Sequence, residues 1–223
     1  AKMAGKPVVS NEPPRSGGEL VFFWGRCLMS LGILGFCLAA TLDALFAGKT
    51  TIWDSIPSGV SVVLFFVLMC VVGLLEGMQI AFFAVARILA DERGNSIFAK
   101  KTCELLFRGR GENLAGFMIG RQLCVVSCMF IVARVTTIEI EEGEENIFGV
   151  PDGLQEFFNF GFLGAIFLTI AGSISWQLVA SAFPLQFLAN PLVYFFLRIC
   201  LLLESSGLCH GAWVLAALHK QFA

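Results

Sequence analysis

Two long hydrophobic stretches of this chain each carry a fixed charge beside a glutamine. Glu76 and Gln79 lie in one stretch, and Arg121 and Gln122 lie in the next. A charged side chain near the centre of a bilayer costs about 2.5–3.5 kcal/mol on insertion scales, so such residues usually face a bundle interior and mark a substrate or ion path. The two stretches therefore restrict the chain to folds that bury polar groups between helices.

The composition is that of a membrane protein. Hydrophobic residues form 57% of the chain and charged residues only 14%, whereas about a quarter of a soluble domain is charged. Because a helix needs about 20 residues to cross the hydrocarbon core, the hydropathy pattern predicts an all-α membrane protein with about five transmembrane helices. The predicted spans lie near residues 20–46, 60–90, 114–135, 157–182 and 191–218.

The fifth span has a clear predicted start and an open end. Asn190 is the predicted N-cap, and Pro191 is the first helical residue. If the helix continues through Gly207 to residue 218, Glu204 lies inside the membrane and is a candidate functional residue. If the helix stops just before Glu204, that carboxylate is interfacial and residues 207–223 form a connector.

The placement of Lys and Arg predicts the orientation. The segment between spans three and four has no basic residue and is strongly acidic. The segment between spans two and three holds Arg93, Lys100, Lys101, Arg108 and Arg110. Under the positive-inside rule the basic segment is cytoplasmic and the acidic one faces outside or a lumen. Residues 1–19, rich in Pro, Gly and Ser, are then a disordered cytoplasmic segment, and residues 219–223 form a tail. The expected location is the plasma membrane.

Each charged stretch also contains a pair of glycines. Gly73 and Gly77 lie in span two, and Gly116 and Gly120 lie in span three. Such small-xxx-small pairs let another helix approach closely. The pattern predicts that spans two and three pack against each other or against a common partner, so that their polar groups meet.

Whether Glu76 contacts Arg121 directly is open at this stage. At 1.5 Å per residue, Glu76 lies about 21 Å and Arg121 about 10 Å from the cytoplasmic ends of their predicted helices. Gln79 and Gln122 fall between, at about 16 and 12 Å. Primary amides donate and accept hydrogen bonds, so this set suits a small, neutral, polyhydroxylated solute, with a monovalent cation near Glu76. The alternative is a buried ion pair that only locks two helices together.

The fourth predicted span adds further polar candidates. Gln177 is another amide in an apolar stretch, and Ser173 lies one helical turn before it. The same helix is rich in small residues, which favours close packing against a neighbour. We therefore expect Ser173 and Gln177 to line the same path as the charged pair.

No motif in the chain predicts catalysis. There is no Walker loop, dinucleotide fingerprint, zincin helix or nucleophile elbow, and the Cys and His residues show no metal-ligand spacing. No catalytic residue, metal, organic cofactor or nucleic-acid partner is therefore expected. A membrane-embedded enzyme that uses Glu76, His210 or a cysteine is an alternative, although the sequence pairs no nucleophile with a base.

The motif at residues 76–79 (EGMQ), followed by Gly120, Arg121 and Gln122, resembles the EGxQ and GRQ motif pair of the silicon transporters. These are sodium-coupled silicic acid carriers of diatoms and related organisms. The resemblance covers roughly residues 20–219 and extends to the acidic outer loop and the Phe-rich spans. It implies uptake of silicic acid coupled to sodium, with the charged and amide residues of both motifs as substrate or ion contacts.

The chain departs from the family in one respect. Full-length members have ten spans and two copies of the motif pair, whereas five spans and one copy are predicted here. Because five is odd, a second unit would insert upside down and give the inverted-repeat arrangement of secondary transporters. The expected partners are silicic acid, sodium, membrane lipid and a second five-span unit, covalent or in a homodimer. A transceptor or sensor that binds a polyhydroxylated solute without translocation, and a passive channel for neutral hydroxy acids, are the alternatives.

Overall fold

The computed structural model is helical over most of the chain that it describes. The described residues are 16–53, 56–87, 96–109, 112–140, 143–211, 214–215 and 217–218. The sequence-based predictions for residues 1–15 and 219–223, and for Arg93 and Arg110, lie outside them. The chain divides into two compact units, Ala1–Phe36 and Cys37–Ala223.

The connections between consecutive helices range from one residue to fifteen. In chain order the helices are α1 (Gly17–Ala47), α2 (Ser58–Ala86), α3 (Ile97–Leu106), α4 (Glu112–Thr136), α5 (Asp152–Asn159), α6 (Phe162–Phe167), α7 (Ser175–Ala182), α8 (Pro184–Leu188) and α9 (Pro191–Ser205). A 3₁₀ turn, Ile147–Gly149, precedes α5. A π-helix, Leu168–Ile174, joins α6 to α7 without a break.

Within the described residues, four helical stretches are long and apolar enough to cross a bilayer. They are Gly17–Ala47, Ser58–Ala86, Glu112–Thr136 and Phe162–Ala182. These stretches correspond to the first four predicted spans and make the chain an integral membrane protein. Helix α9 has 15 residues, or about 22 Å, which is less than the hydrocarbon thickness of about 30 Å. The count of five spans therefore stays a prediction.

The first helix begins earlier than predicted because its start is capped. The backbone N–H of Ser16 donates to the Glu19 carboxylate at 2.8 Å, and the backbone N–H of Glu19 donates to the Ser16 hydroxyl at 3.4 Å. This reciprocal pair is a capping box, which satisfies amide groups that a helix start leaves without partners. Residues 17–19, predicted to be disordered, are helical.

The fourth predicted span, 157–182, is divided in the structure. Helix α5 ends at Asn159, and Gly161 follows with φ of +72° before α6 starts at Phe162. Only glycine adopts this backbone readily, and a Cβ at Gly161 would lie 2.9 Å from the Thr137 hydroxyl. The membrane-length stretch therefore starts five residues later than predicted, and α5 is a separate helix in the acidic segment.

The start of α9 is confirmed and its end is settled. The Asn190 side chain accepts a hydrogen bond from the backbone N–H of Leu192 at 3.0 Å, and Pro191 opens the helix. The helix ends at Ser205, and Gly207 follows with φ of +82°. The helix breaks as in the shorter of the two sequence alternatives, but it extends just past Glu204, and described residues from His210 onward are helical again and not a plain connector. A continuous helix over 191–218 was therefore wrong.

Helix α2 is the central element of the unit Cys37–Ala223. It packs against α4, α7, the π-helix and α8, while α4 packs along α9. The Phe82 and Phe117 rings meet at 4.7 Å between α2 and α4, and both side chains are fully buried. Leu75 and Leu197 complete the same apolar core. This packing fixes the mutual positions of the two helices that carry the charges.

A short antiparallel bridge joins the chain after α1 to the chain after α4. The bridge pairs Thr50 with Ile138. The backbone N–H of Thr51 donates to the Thr137 carbonyl, and that of Glu139 donates to the Lys49 carbonyl, each at 3.0 Å. The ends of α1 and α4 therefore lie on the same side, as the predicted order of up and down spans requires.

Candidate functional site

An ion pair joins the two charged helices. Nη1 of Arg121 on α4 lies 2.8 Å from Oε1 of Glu76 on α2. Further along, Phe82 of α2 meets Phe117 of α4, so the residue numbers rise in one helix as they fall in the other. The helices are therefore antiparallel. The direct contact that sequence counting left open is made.

The true helix ends explain why the two charges meet. Helix α2 ends at Ala86 and α4 begins at Glu112, so Glu76 lies about 15 Å and Arg121 about 14 Å from these ends. The sequence estimate placed the end of α2 four residues later, and the start of α4 two residues later, than the structure does. Those small errors produced an apparent offset of about 11 Å, although the charges lie at matching depth.

A third helix is hydrogen-bonded to the same carboxylate. Nε2 of Gln177 on α7 donates to Oε2 of Glu76 at 3.0 Å and approaches the Ser173 hydroxyl at 3.3 Å. At the other end, Nη2 of Arg121 donates to the side-chain oxygen of Gln122 at 3.1 Å. Together these five side chains form one hydrogen-bonded series, here called the polar chain, which crosses from α4 through α2 to the fourth membrane-length stretch.

The burial of the polar chain is uneven. The Arg121 side chain is 8% exposed and the Glu76 side chain 18% exposed. Nε of Arg121 is buried and has no hydrogen-bond partner within the described part of the protein. Gln122, by contrast, is exposed. The charged centre is thus enclosed at Arg121 and partly open at Glu76, and the polar chain reaches the surface of the chain at Gln122.

Two predicted site residues lie outside the polar chain. Gln79 is half-buried one turn from Glu76, and its side chain has no hydrogen bond to any residue described by the structure. The Glu204 carboxylate lies against α4, where a Cβ at Gly116 would be 3.4 Å from its Oε2. Glu204 makes no ion pair with a described cation. The structure therefore brings together Glu76, Arg121, Gln122, Gln177 and Ser173, but not Gln79 or Glu204.

The glycine pair of α4 packs against α9. A Cβ at Gly120 would overlap with the Cys200 carbonyl group, and Gly116 faces Leu201 and Glu204. The absence of a side chain at Gly120 is what allows this close approach. Helices α2 and α4 do pack against each other and their charges meet, as predicted, but the close approach at Gly120 is to α9 and not to α2.

The glycine pair of α2 faces the fourth membrane-length stretch and α8. A Cβ at Gly73 would lie 2.5 Å from the Gly172 carbonyl oxygen, and one at Gly77 would lie 2.6 Å from the Phe187 ring. The indole of Trp176 also lies at Gly73. Because this contact brings the fourth stretch close to α2, Gln177 can reach Glu76. The pair thus contributes to the site through the fourth stretch, whose Ser173 and Gln177 were expected to line the same path.

The π-helix Leu168–Ile174 supplies Ser173 and leads directly into Gln177. Short π-helical segments are rare and often occur at functional sites. Here the segment lies beside α2, against which it packs. It therefore sets the direction in which the polar residues of the fourth stretch face.

Sequence reasoning missed one charged residue. Arg198 lies within the apolar helix α9, and its Nη2 donates to the Tyr194 hydroxyl at 2.8 Å. The signal was present, since a cation inside an apolar run is a functional candidate by the same rule that selected Glu76 and Arg121.

The fold and the polar chain define a class: a helical membrane protein with an ion pair buried between spans, an arrangement typical of transporters. The comparison with protein families agrees with this class. The model of the family described as Silicon transporter matches residues 1–223. The chain therefore belongs to the silicon transporter family, and the resemblance drawn from the two motifs is confirmed. The comparisons found no match among curated proteins and none among solved structures.

Proposed function

We propose that this chain takes up silicic acid by sodium-coupled symport, with the polar chain as its substrate and ion site. The supporting observation is the double hydrogen bonding of Glu76, which receives Arg121 on one oxygen and Gln177 on the other. Each donor comes from a different helix. A change in what Glu76 binds therefore acts on both neighbours of α2.

Sodium has a physical route to Glu76. The carboxylate is 18% exposed, and a carboxylate oxygen is a suitable ligand for a hard cation. A sodium ion at Glu76 competes with the guanidinium of Arg121 for the same negative charge. In the proposed cycle, sodium weakens the ion pair and frees the Arg121 donors for a hydroxyl oxygen of the solute. Cation and solute would then bind in a coupled manner, as symport requires.

The amides supply contacts for a neutral hydroxylated solute. The oxygen of Gln122 is taken by Arg121, but its amide NH₂ donates to no described residue, and Gln79 has no described hydrogen bond. A primary amide can both donate to and accept from a hydroxyl group. We assign Gln79 and Gln122 to the solute, and Gln177 and Ser173 to holding Glu76. Glu204 lies beside Gly116, five residues before Arg121 in α4, and would act as a second acidic group on the cytoplasmic side of the path.

The proposed carrier contains two five-span units, with α9 contributing to the fifth span of each. Gln122 supports this, because it is exposed next to a buried arginine in a membrane-length helix. Its oxygen accepts from Arg121, but its NH₂ donates to no described residue, and an unpaired donor that faces hydrocarbon is costly, so a covering surface is favoured. An inverted second unit, covalent or in a homodimer, would place that surface at the site. We further propose that the carrier lies in the plasma membrane and that its N-terminus is cytoplasmic.

The test is uptake into proteoliposomes with and without an inward sodium gradient. Symport predicts saturable silicic acid uptake that depends on the gradient and falls in Ser173→Ala. The matched control is Thr169→Ala, because that hydroxyl donates only to the Ala165 carbonyl of its own helix. Binding without flux would make the chain a sensor, and non-saturating flux without sodium dependence would make it a channel. Either result would refute symport.

The second unit is tested in the same vesicles by chemical crosslinking. The proposal predicts that crosslinked pairs appear under the conditions in which uptake occurs. Full uptake by a chain that remains a monomer would contradict the requirement for a second unit, while leaving the assignment of Glu76 and Arg121 intact.

A further inference from the structure

A basic cleft lies between α3 and α9, apart from the polar chain. Its volume is about 470 Å³, and it is lined by Lys101, Glu104, Leu105, Arg108, Tyr194 and Arg198. Three of these side chains are cationic and one is a carboxylate. The cleft therefore carries an excess of positive charge.

Within the described residues, the positive charge of the cleft is offset only in part, by Glu104. Lys101, Arg108 and Arg198 make no ion pair within the part of the chain that is described. Nε and Nη2 of Arg198 donate to the Tyr194 hydroxyl at 3.1 and 2.8 Å, and its guanidinium carbon lies 5.3 Å from the centre of the same ring. A neutral partner thus orients the guanidinium while its charge remains available to a ligand.

Helix α3 has the character of a helix at a membrane surface. Ile97 and Phe98 precede Lys101 by four and three positions, so they share its helix face, and they are 69% and 39% exposed. The opposite face, with Ala99 and Cys103, is buried in the core. An exposed face that combines apolar and basic side chains is suited to the lipid headgroup region.

We propose that the cleft binds a phosphate-bearing anion, with the headgroup of an anionic phospholipid as the favoured source. The planar guanidinium groups of Arg108 and Arg198 match the geometry of phosphate oxygens, and Lys101 adds a further charge. The Tyr194 hydroxyl, which accepts from Arg198, can donate its own proton to a phosphate oxygen. Glu104 opposes the anion and reduces, but does not cancel, the positive field.

The experiment uses native mass spectrometry of the full chain in detergent, with phosphatidic acid as the probe and phosphatidylcholine as the reference lipid. We expect phosphatidic acid to bind at least tenfold more tightly. The double variant K101Q/R198Q should weaken phosphatidic acid binding about 30-fold, since each basic residue near a headgroup contributes about fivefold. The matched control is Lys100→Gln, an exposed lysine of the same helix that does not line the cleft.

Two further measurements separate the possible outcomes. Competition with millimolar inorganic phosphate identifies the source: displacement of the lipid indicates a soluble phosphate site, and retention indicates a headgroup site. Arg198→Lys keeps the charge but loses the planar guanidinium, so it should bind phosphatidic acid more weakly than the parent and more tightly than K101Q/R198Q. K101Q/R108Q leaves α9 unchanged and alters only exposed side chains, so it should still lose binding if R198Q impairs folding. Equal binding of both lipids, or equal loss in Lys100→Gln, would overturn the proposal.

Discussion

Removal of Arg121 should strongly destabilise the fold by leaving the Glu76 carboxylate without its counter-charge. In Arg121→Met the Glu76 carboxylate keeps only the hydrogen bond from Gln177, in a site where its side chain is 18% exposed. Breaking a buried ion pair from one side costs about 3–5 kcal/mol, because the remaining charge is left uncompensated. We expect a loss of this size in the free energy of unfolding.

Two further variants show how large this loss of unfolding free energy should be by comparison. Gln177→Leu removes a hydrogen bond but no charge, and interhelical hydrogen bonds in membranes are worth about 0.6 kcal/mol on average and about 1.7 at most. The double variant E76Q/R121M removes both charges, so neither is left unpaired. It should therefore be more stable than Arg121→Met alone, with a coupling energy of about 2–4 kcal/mol in the double-mutant cycle.

The assay is reversible unfolding in mixed micelles of the parent, Glu76→Gln, Arg121→Met and E76Q/R121M, which complete the cycle, together with Gln177→Leu. Silicic acid uptake is measured on the same five proteins. Recovery of stability without recovery of uptake in E76Q/R121M would show that the charges serve transport as well as folding. The reasoning is refuted if Arg121→Met lies within about 1 kcal/mol of the parent protein, or if the double variant is no more stable than that single variant. Normal uptake by a stable double variant would make the pair purely structural.

Four further substitutions test other parts of the structure. Gly120→Ala forces a Cβ into the facing carbonyl of α9 and should lower the free energy of unfolding by about 1–3 kcal/mol. The control Gly35→Ala has nothing within 4 Å of the added Cβ and should be neutral or stabilising. Equal effects of the two substitutions would contradict the close contact at Gly120. Gly161→Ala should lower the thermal midpoint because of the φ of +72°, and an unchanged midpoint would argue against that backbone. Gln79→Ala and Gln122→Ala should each reduce uptake at normal membrane insertion, and normal kinetics in both would make these amides structural.

Much of the helical framework follows from the sequence, because hydropathy and capping act locally. Four membrane-length stretches lie where the apolar runs predict them, and the Asn190 cap of α9 has the expected geometry. The errors lie at helix ends. The Ser16 capping box was overlooked, and the left-handed glycines at 161 and 207 end or interrupt helices within runs that hydropathy alone would continue.

The sequence predicted which residues belong to the candidate site better than it predicted the contacts between them. The charged pair could be named because isolated charges in apolar runs are costly. The partners of the glycine pairs could not, since Gly73 and Gly120 indicate a close approach without saying which helix approaches. The bond from Gln177 to Glu76 depends on that choice of neighbour, and hydropathy contains no information about it.

The π-helix has a consequence for how changes in chain length act on the protein. The backbone hydrogen bonds of the π-helix span five residues instead of the four of an α-helix, so the segment holds one residue more than a regular helix over the same path. Deleting one residue between 168 and 174 would let the segment become α-helical while Gln177 still faces Glu76. A single deletion there would therefore preserve the bond to the carboxylate, whereas a deletion in the regular helix α2 would rotate Glu76 by about 100° relative to the residues before it.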